Sequence, residues 1–418
     1  MMRSDEILAV GDLTGAVAGG GLALAADLHR AIADRAFSPV ESVAAPVRSV
    51  HDQVSQTIWA GWAGLARRAP LVLAELGAAA FRRTEAPPVQ ESPGGARVVG
   101  AVNGFYGDYL AGSQSALAVQ MSVRRRGRLV DLSDEAVADA IPDASPHLAV
   151  FVHGLCESDG HWHPTDGSGS DGRVDFGELL ESELGATSVD LRYNSGRRVS
   201  DNGQDLDRLL ESLVECWPCE VTEITLVGHS MGGLVARSAC HYGAEREAGW
   251  TELVRHVVCL GTPHMGAPLE QAVNALSWVL GQVPEARGVA KVLNARSVGI
   301  KDLRFGSVRH EDWHDVDPDE FLTDRCKETP FLSHANYYFV GATVTRDRRH
   351  PLGAAVGDLL VQYGSASGAG RRRKLPFELE HGRHIGGVHH FDLLTNPDVA
   401  DQVLSWLGDA GESRSAVA

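Results

Sequence analysis

The sequence predicts an α/β fold in which a mostly parallel central sheet is flanked by helices, with an N-terminal helical extension and a helical lid insertion. Three observations support this prediction. Short β-branched runs alternate with helical patterns from residue 147 onward, which is typical of a parallel sheet covered on both faces. The chain before residue 84 has helical patterns only, and one long insertion, at about residues 266–335, interrupts the alternation.

Composition excludes several functional classes. The 418 residues carry a net charge of −17, which argues against a nucleic-acid partner. Met1–Val10 contains acids where a signal peptide needs a basic region, and no uninterrupted apolar run of about 18 residues is present, so we expect no membrane span. Six scattered cysteines suit a reducing compartment, and we expect a cytoplasmic protein.

The N-terminal part is predicted to be helical over residues 5–83, with breaks at Gly19–Gly21 and Ser38-Pro39. Apolar residues recur at helical spacing over Val47–Leu65, which favours a docked helical hairpin. A surface that contacts lipid, or one that forms a homo-oligomer, is the alternative. Because Thr84–Ala96 is rich in proline and glycine, we predict an extension and linker over 1–97 and the main domain over 98–418.

The elements of the main domain follow in order from periodicity and breakers. They are a strand pair near Gly127–Leu132, strands at His147–Val152, Ser188–Tyr193, Ile224–Val227, His256–Leu260, Tyr337–Gly341 and Phe377–His381, and helices at Phe176–Leu184, Gln204–Cys216, Leu234–Cys240 and Asp398–Leu407. Ligands of such sheets lie at the carboxyl ends of the strands.

A Gly-x-Ser-x-Gly pentapeptide, Gly228–Gly232, lies between a predicted strand and a predicted helix. A direct strand-to-helix turn strains the central residue and lifts its side chain clear of the sheet. The helix N-terminus adds free N–H groups and a positive dipole end beside Ser230. The pattern therefore predicts that Ser230 is a nucleophile; the competing interpretation is a glycine-rich turn with Ser230 as the helix N-cap.

A serine nucleophile needs a base and an orienting acid. Chain order points to His390, in the loop before the last predicted helix, with His389 as the alternative. Asp358 lies in the interval between nucleophile and base, and Asp347 is its nearest rival. We therefore predict Ser230, Asp358 and His390 as the catalytic residues.

The oxyanion donors should be two backbone N–H groups. One is that of Met231, directly after the serine. The other is that of Leu155, in the His153-Gly154-Leu155 turn that follows the predicted strand His147–Val152. We expect His153 to position other groups or to be structural.

Three motifs, Phe151-Val-His-Gly-Leu155, Gly228-His-Ser-Met-Gly-Gly233 and Leu260-Gly-Thr-Pro-His-Met-Gly-Ala-Pro268, resemble those of the α/β-hydrolase lipases. The group most similar is that of triacylglycerol-lipase-like and GPI-inositol-deacylase-like serine hydrolases. The resemblance covers roughly residues 147–410 and leaves the N-terminal helices outside.

The resemblance implies oxyanion roles for Leu155 and Met231, and acid and base roles for Asp358 and His390. It also implies that His264 is a wall residue of the site. One departure is the long interval between the preceding strand and Asp358.

The insertion Gly266–Ala335 contains apolar helical stretches at Leu269–Val283 and Val289–Leu293. It is either a lid over an apolar acyl chain or a simple cap on the sheet. His161 and His163, one residue apart, are a weak metal motif, and we expect no metal or other cofactor.

These observations together predict a serine carboxylic-ester hydrolase, esterase- or lipase-like, that acts on an ester or lipid small molecule through a Ser230 acyl-enzyme. The alternatives are an acyltransferase that uses the same triad and a non-catalytic binding protein with a hydrolase fold. A complete set of serine, acid and histidine argues against the binding protein, because binding alone does not require all three residues.

Overall fold

A single sheet forms the centre of the computed structural model, which describes residues 2–38, 41–80, 87–164, 172–370 and 373–415. Its strands are β1 (Ser122–Arg125), β2 (Arg128–Val130), β3 (His147–Val152), β4 (Thr187–Arg192), β5 (Glu223–His229), β6 (Val254–Leu260), β7 (Asn336–Thr343) and β8 (Gly382–Gly386). Within the described chain the order is β2-β1-β4-β3-β5-β6-β7-β8. The strands from β3 to β8 run parallel, and β1 is antiparallel to both of its neighbours.

Some helices cover the two faces of this sheet, and others form the N-terminal hairpin and the insertion. They are α1 (Ser4–Phe37), α2 (Glu41–Ala80), α3 (Pro93–Gly112), α4 (Asp134–Ala140), α5 (Phe176–Leu184), α6 (Val199–Glu215), α7 (Met231–Glu245), α8 (Pro268–Gly281), α9 (Arg287–Asn294), α10 (Val298–Asp302), α11 (Pro351–Val356), α12 (Tyr363–Ala366) and α13 (Pro397–Ser415).

Two apolar cores follow from the alternation of side chains along the strands. Leu148 and Val150 of β3 belong to one core, together with α6 and α7. Ala149 and Phe151 of the same strand belong to the other, with α5 and α13. Both faces of the sheet are therefore buried, as the continuous apolar runs predict.

The prediction of the last strand at Phe377–His381 is wrong. Strand β8 lies at Gly382–Gly386, where Gly382 is paired with Phe339. The aromatic side chain of Phe377 packs on the ring of Phe339 at 5.0 Å and does not join the sheet. Of the β8 residues only Ile385 is buried, so this edge strand has no apolar run that a pattern could detect.

Helix α1 runs without interruption through Gly19–Gly21, which corrects the predicted break there. Its glycines allow close packing: a Cβ on Gly11 would lie 2.4 Å from Cβ of Ala74, and one on Gly15 would lie 2.4 Å from the carbonyl oxygen of Arg67. The hairpin of α1 and α2 therefore packs through small residues. Helix α1 ends at Phe37 and α2 begins at Glu41, so the predicted break at Ser38-Pro39 lies between them; Pro39 is outside the described residues.

Helix α3 continues across the predicted boundary between residues 97 and 98 and begins inside the predicted linker, of which residues 84–86 lie outside the described part. Two contacts tie α1 to this region. Val89 N donates to Glu6 Oε1 at 2.6 Å, and the Tyr109 hydroxyl donates to Asp12 Oδ2 at 2.9 Å. The extension is thus docked along the main domain.

By length and composition, α1 is long and apolar enough to cross a membrane. This differs from the expectation of no membrane span, because a few charged side chains interrupt the apolar sequence of the helix. Core helices and N-terminal signal sequences meet the same criterion.

Candidate active site

Ser230 lies on a sharp turn between β5, which ends at His229, and α7, which begins at Met231. Its backbone φ of 52° and ψ of −121° lie in a region that a residue with a side chain rarely adopts. Such strain persists only where the surrounding structure enforces it, and it is common at functional sites. The predicted strand–serine–helix arrangement is present.

The two glycines of the pentapeptide make this turn possible. A Cβ on Gly232 would lie 2.0 Å from the carbonyl oxygen of Val152, and one on Gly228 would lie 2.4 Å from the amide nitrogen of Gly233. Neither distance is compatible with a side chain. Strand and helix therefore approach as closely as the pattern predicts.

His390 and Asp358 form a buried pair. His390 Nδ1 lies 2.7 Å from Asp358 Oδ2, and the two side chains are 3% and 1% exposed. The backbone adds a second link, since His390 N donates to the Asp358 carbonyl at 3.1 Å. The structure thus brings together the predicted base and the predicted acid.

The Asp358 carboxylate is held by its own turn. Its Oδ1 accepts hydrogen bonds from Leu360 N at 3.0 Å and from Val361 N at 2.8 Å. Gly357, with φ of 64°, enters the turn, and a Cβ there would lie 1.9 Å from the Val361 carbonyl oxygen. The carboxylate therefore keeps one oxygen for the turn and one for His390.

The alternative acid, Asp347, and the alternative base, His389, lie away from the Asp358–His390 pair. Asp347 is on an exposed turn, where its Oδ1 accepts from Arg349 N at 2.8 Å. His389 is exposed beside the loop. Neither contacts the Asp358–His390 pair among the described side-chain contacts.

Ser230 and His390 line the same cavity. His390 Nε2 is buried and makes no hydrogen bond to any described residue. The ring is thus oriented through Nδ1 and keeps Nε2 for a partner in the cavity.

The two predicted oxyanion donors flank Ser230. Met231 is the first residue of α7, so its N–H has no partner within the helix. Leu155 lines the cavity, and the preceding Gly154 packs so closely that a Cβ on it would lie 3.0 Å from Cβ of Ser230. The backbone of this turn can therefore approach the serine closely.

Sequence reasoning missed a buried charged pair behind the turn, Glu157 and His229. Glu157 Oε1 lies 2.8 Å from His229 Nδ1, and Glu157 Oε2 accepts the N–H of Gly154 at 2.6 Å. His229 Nε2 lies 3.1 Å from the His390 carbonyl oxygen. The pair therefore connects the loops that carry the oxyanion donor, the nucleophile and the base.

Electrostatics favour the ionic form of this pair. Burial alone would raise the pKa of Glu157, but His229 and the Gly154 amide outweigh it and lower that pKa to about 2. Burial likewise opposes the His229 charge, yet Glu157 and the His390 carbonyl raise the pKa of His229. No sequence motif identifies Glu157, because it contacts His229 only in the folded chain.

Two further histidines near the site, His153 and His264, are fully buried. Burial lowers the pKa of His153 to about 4, and its ring stacks on Tyr193 with centroids 4.3 Å apart. Burial and the neighbouring Arg237 lower the pKa of His264, whose Nδ1 lies 3.1 Å from that guanidinium. These effects favour neutral His264. Its side chain is buried against Arg237 and does not line the cavity, which corrects the implied wall role, and Pro263 of the same turn lines the cavity instead.

His163 is held between two carboxylates. Nδ1 lies 2.6 Å from Asp175 Oδ2, and Nε2 lies 2.9 Å from Asp190 Oδ2. Burial opposes the charge, but the two aspartates outweigh it and raise the pKa of His163 to about 10. Within the described ranges, no three His, Cys, Asp or Glu side chains are placed to hold a metal ion.

A cavity of about 1090 Å³ opens from Ser230 and His390. The helices α8, α9 and α10 of the insertion line it, and so do α1 and α3. The walls are mostly apolar side chains.

The comparisons agree with this architecture. Residues 188–325 match the family model of the PGAP1-like alpha/beta domain. The chain has the α/β-hydrolase fold. The match covers about a third of the chain and includes β4 to β6, Ser230 and most of the insertion, as the motif resemblance implied. No curated protein matches the chain.

Several solved structures are similar. The mature lipase BlEst2 of Bacillus licheniformis is 20% identical, with 62% of this chain and 90% of that chain covered and a TM-score of 0.40. EstA of Clostridium botulinum is 13% identical, with 63% and 87% covered and a TM-score of 0.38. An esterase of Pyrobaculum calidifontis is 14% identical, with 65% and 76% covered and a TM-score of 0.34. Likenesses of this size carry no conclusion about substrate.

Proposed function

We propose that this α/β hydrolase is a serine carboxylic-ester hydrolase of the esterase or lipase type. The observation that carries the proposal is the His390–Asp358 pair, buried at 2.7 Å, whose free Nε2 belongs to the same cavity as the strained Ser230. Nothing in a purely structural role requires an oriented imidazole in the same cavity as a strained serine.

In the proposed mechanism, His390 Nε2 takes the Ser230 hydroxyl proton as Oγ bonds to the ester carbonyl carbon. The N–H groups of Leu155 and Met231 hold the oxyanion of the tetrahedral intermediate. The intermediate collapses as the C–O bond to the alcohol breaks, and His390 returns the proton to the leaving oxygen. Asp358 stabilises the imidazolium.

Water completes the cycle. His390 takes a proton from the water as the water oxygen attacks the acyl-enzyme carbonyl. The second tetrahedral intermediate collapses as the bond from the acyl carbon to Ser230 Oγ breaks, and His390 returns the proton to Oγ, which releases the carboxylic acid. An alcohol in place of water would give acyl transfer, so products measured with and without an alcohol acceptor distinguish the two reactions.

The test is turnover of p-nitrophenyl butyrate by wild type and Ser230→Ala. We expect the variant to lose at least about 10⁴-fold in kcat, because removal of a serine nucleophile abolishes the covalent route. Ser182→Ala, an exposed serine on α5 whose hydroxyl donates to Leu179 O, is the matched control and should keep wild-type turnover. Undiminished turnover by Ser230→Ala would refute the proposal.

A further inference from the structure

The N-terminal helix forms part of the cavity at Ser230. From α1, the residues Leu13, Val17, Gly20, Gly21 and Leu24 line it, at the spacing of one helical face. Val273 of α8 and Val292 of α9 line it as well. The cavity wall is therefore shared by the hydrolase insertion and by a helix outside the hydrolase core.

Helix α1 is docked on this insertion by packing and by charge. A Cβ on Gly288 of α9 would lie 2.1 Å from Cδ1 of Leu24, so the two helices meet closely. Lys291 Nζ lies 2.6 Å from Asp27 Oδ2 on the α1 side of the contact. The α1 wall thus has a defined position relative to α9.

The charged side chains at the cavity all have partners. Asp27 pairs with Lys291, and Glu157 pairs with His229. Glu270 Oε1 lies 2.6 Å from Arg296 Nη2. An apolar cavity whose charges are already neutralised by protein groups favours an uncharged, apolar ligand portion.

The cavity is large enough for a large ligand. Its volume of about 1090 Å³ reaches the upper end of the roughly 300–1,000 Å³ range for pockets that bind drug-sized ligands. Each methylene buried in such a site strengthens binding by about fourfold. A long alkyl chain is the simplest group that uses this volume and has no charge.

Two adjacent glycines mark the α1 wall. Both residues line the cavity and are exposed, and a Cβ on either would have no atom within 4 Å. Glycine is unfavourable inside a helix, so two open positions at the cavity lining leave space that side chains would otherwise fill.

We infer that α1 forms the far wall of an acyl-binding site, and that Gly20 and Gly21 leave room for the distal part of a long, unbranched acyl chain. The inference rests on the proposed ester hydrolysis at Ser230. Helix α1 is then the element that sets the acyl-chain length that the enzyme accepts.

The first test compares p-nitrophenyl butyrate with p-nitrophenyl palmitate on Gly20→Leu and Gly21→Leu. Each added side chain has space to enter the cavity, so kcat/KM for palmitate should fall by at least about tenfold, while that for butyrate changes by less than about twofold. Gly61→Leu on α2 is the control: its added Cβ also meets no atom within 4 Å, and Gly61 does not line the cavity. It should leave both substrates unchanged.

An unchanged palmitate-to-butyrate ratio in both cavity variants, or an equal fall for both esters, would overturn the inference. Neither result bears on the proposed function, which is refuted only if Ser230→Ala still hydrolyses p-nitrophenyl butyrate. Thermal unfolding of each variant checks that it is folded, and glycine replacement inside a helix favours the folded state.

The second test measures binding without turnover. In the Ser230→Ala background, cis-parinaric acid, a fluorescent long-chain fatty acid, should bind at least about tenfold more weakly when Gly20→Leu is added. Gly61→Leu should leave its affinity unchanged. Equal affinity in the presence and absence of Gly20→Leu would contradict the assignment of α1 as the acyl wall.

Discussion

Glu157 and His229 show how single residues hold the site together. The carboxylate contacts the Gly154 amide on one side and His229 on the other, and His229 in turn reaches the His390 carbonyl. Since both side chains are buried, this ion pair is screened little by solvent. It acts as a positioning element beneath the groups proposed to react.

Glu157→Gln should destabilise the fold by about 3–5 kcal/mol, because it leaves His229 buried without its counter-charge. Urea unfolding measures the loss. The double variant Glu157→Gln/His229→Gln should lose less than the sum of the two single variants, because the pair is removed as a unit. Additive losses would show that the two residues do not interact energetically.

Asp358→Asn tests the orienting acid. The amide cannot hold the His390 ring in the tautomer that accepts a proton at Nε2, and kcat for ester hydrolysis should fall by about 10⁴-fold. Asp347→Asn, on the exposed turn, is the matched control and should keep wild-type kcat. A loss of kcat in Asp347→Asn but not in Asp358→Asn would show that Asp347 is the orienting acid.

At the scale of elements, His163 connects three of them. It follows β3 in the chain, bonds Asp175 at the N-cap of α5, and bonds Asp190 in the middle of β4. Both ring nitrogens lie within hydrogen-bonding distance of a carboxylate, so the fold favours the imidazolium form, in which both nitrogens donate. This contact makes the junction sensitive to pH.

The His163 contribution to stability should be complete below pH 6.5 and disappear as the pH rises toward 10. The reason is that the pKa is about 10 in the folded chain and 6.5 in the unfolded one, so the unfolded state loses its proton first. The free energy of unfolding, measured by urea at several pH values, should decline over this window in wild type and decline less in His163→Gln.

His161→Gln is the control for that series, because His161 Nδ1 accepts from Ser158 N and contacts no carboxylate in the described chain. It should retain the wild-type decline. If the free energy of unfolding declined identically in His163→Gln and wild type, His163 would not be the source of the pH dependence.

The elements that could be predicted are those with a strong local pattern. Strand β3 and helix α5 have the predicted bounds, because a continuous apolar run and a capped amphipathic turn define each one locally. Strand β8 and the unbroken α1 could not be predicted. The pairing of β8 with β7 and the packing of α1 glycines on α2 are tertiary contacts that override local preference.

On the scale of the whole molecule, the outer face of α2 presents an apolar stripe. Val54, Ile58, Trp62 and Leu65 follow helical spacing, and each is more than half exposed. We propose that this stripe contacts a lipid surface, with Trp62 at the interface. The net charge of −17 disfavours anionic lipid, so neutral vesicles are the appropriate partner.

Flotation with phosphatidylcholine vesicles tests the stripe. Ile58→Asp/Trp62→Asp should reduce the floated fraction by at least about tenfold, because two apolar side chains no longer enter the lipid. Leu379→Asp, at a fully exposed leucine outside the hairpin, should float like wild type. Absence of flotation together with a dimer mass in solution would assign the stripe to a second copy of the chain.

The candidate site was predictable to the extent that chain order determines it. Serine, acid and histidine follow one another along the chain at the carboxyl ends of β5, β7 and β8, so Ser230, Asp358 and His390 could be selected from position and turn chemistry. The Glu157–His229 pair and the α1 wall of the cavity could not, since each depends on segments that are distant in sequence and meet only after folding.

The most direct test of the nucleophile is the mass of the intact protein after reaction with a fluorophosphonate, followed by peptide mapping. We predict one adduct, on Ser230, none in Ser230→Ala, and slower labelling in His390→Ala. An absence of labelling in folded wild-type protein, or an adduct on any other residue, would contradict the account.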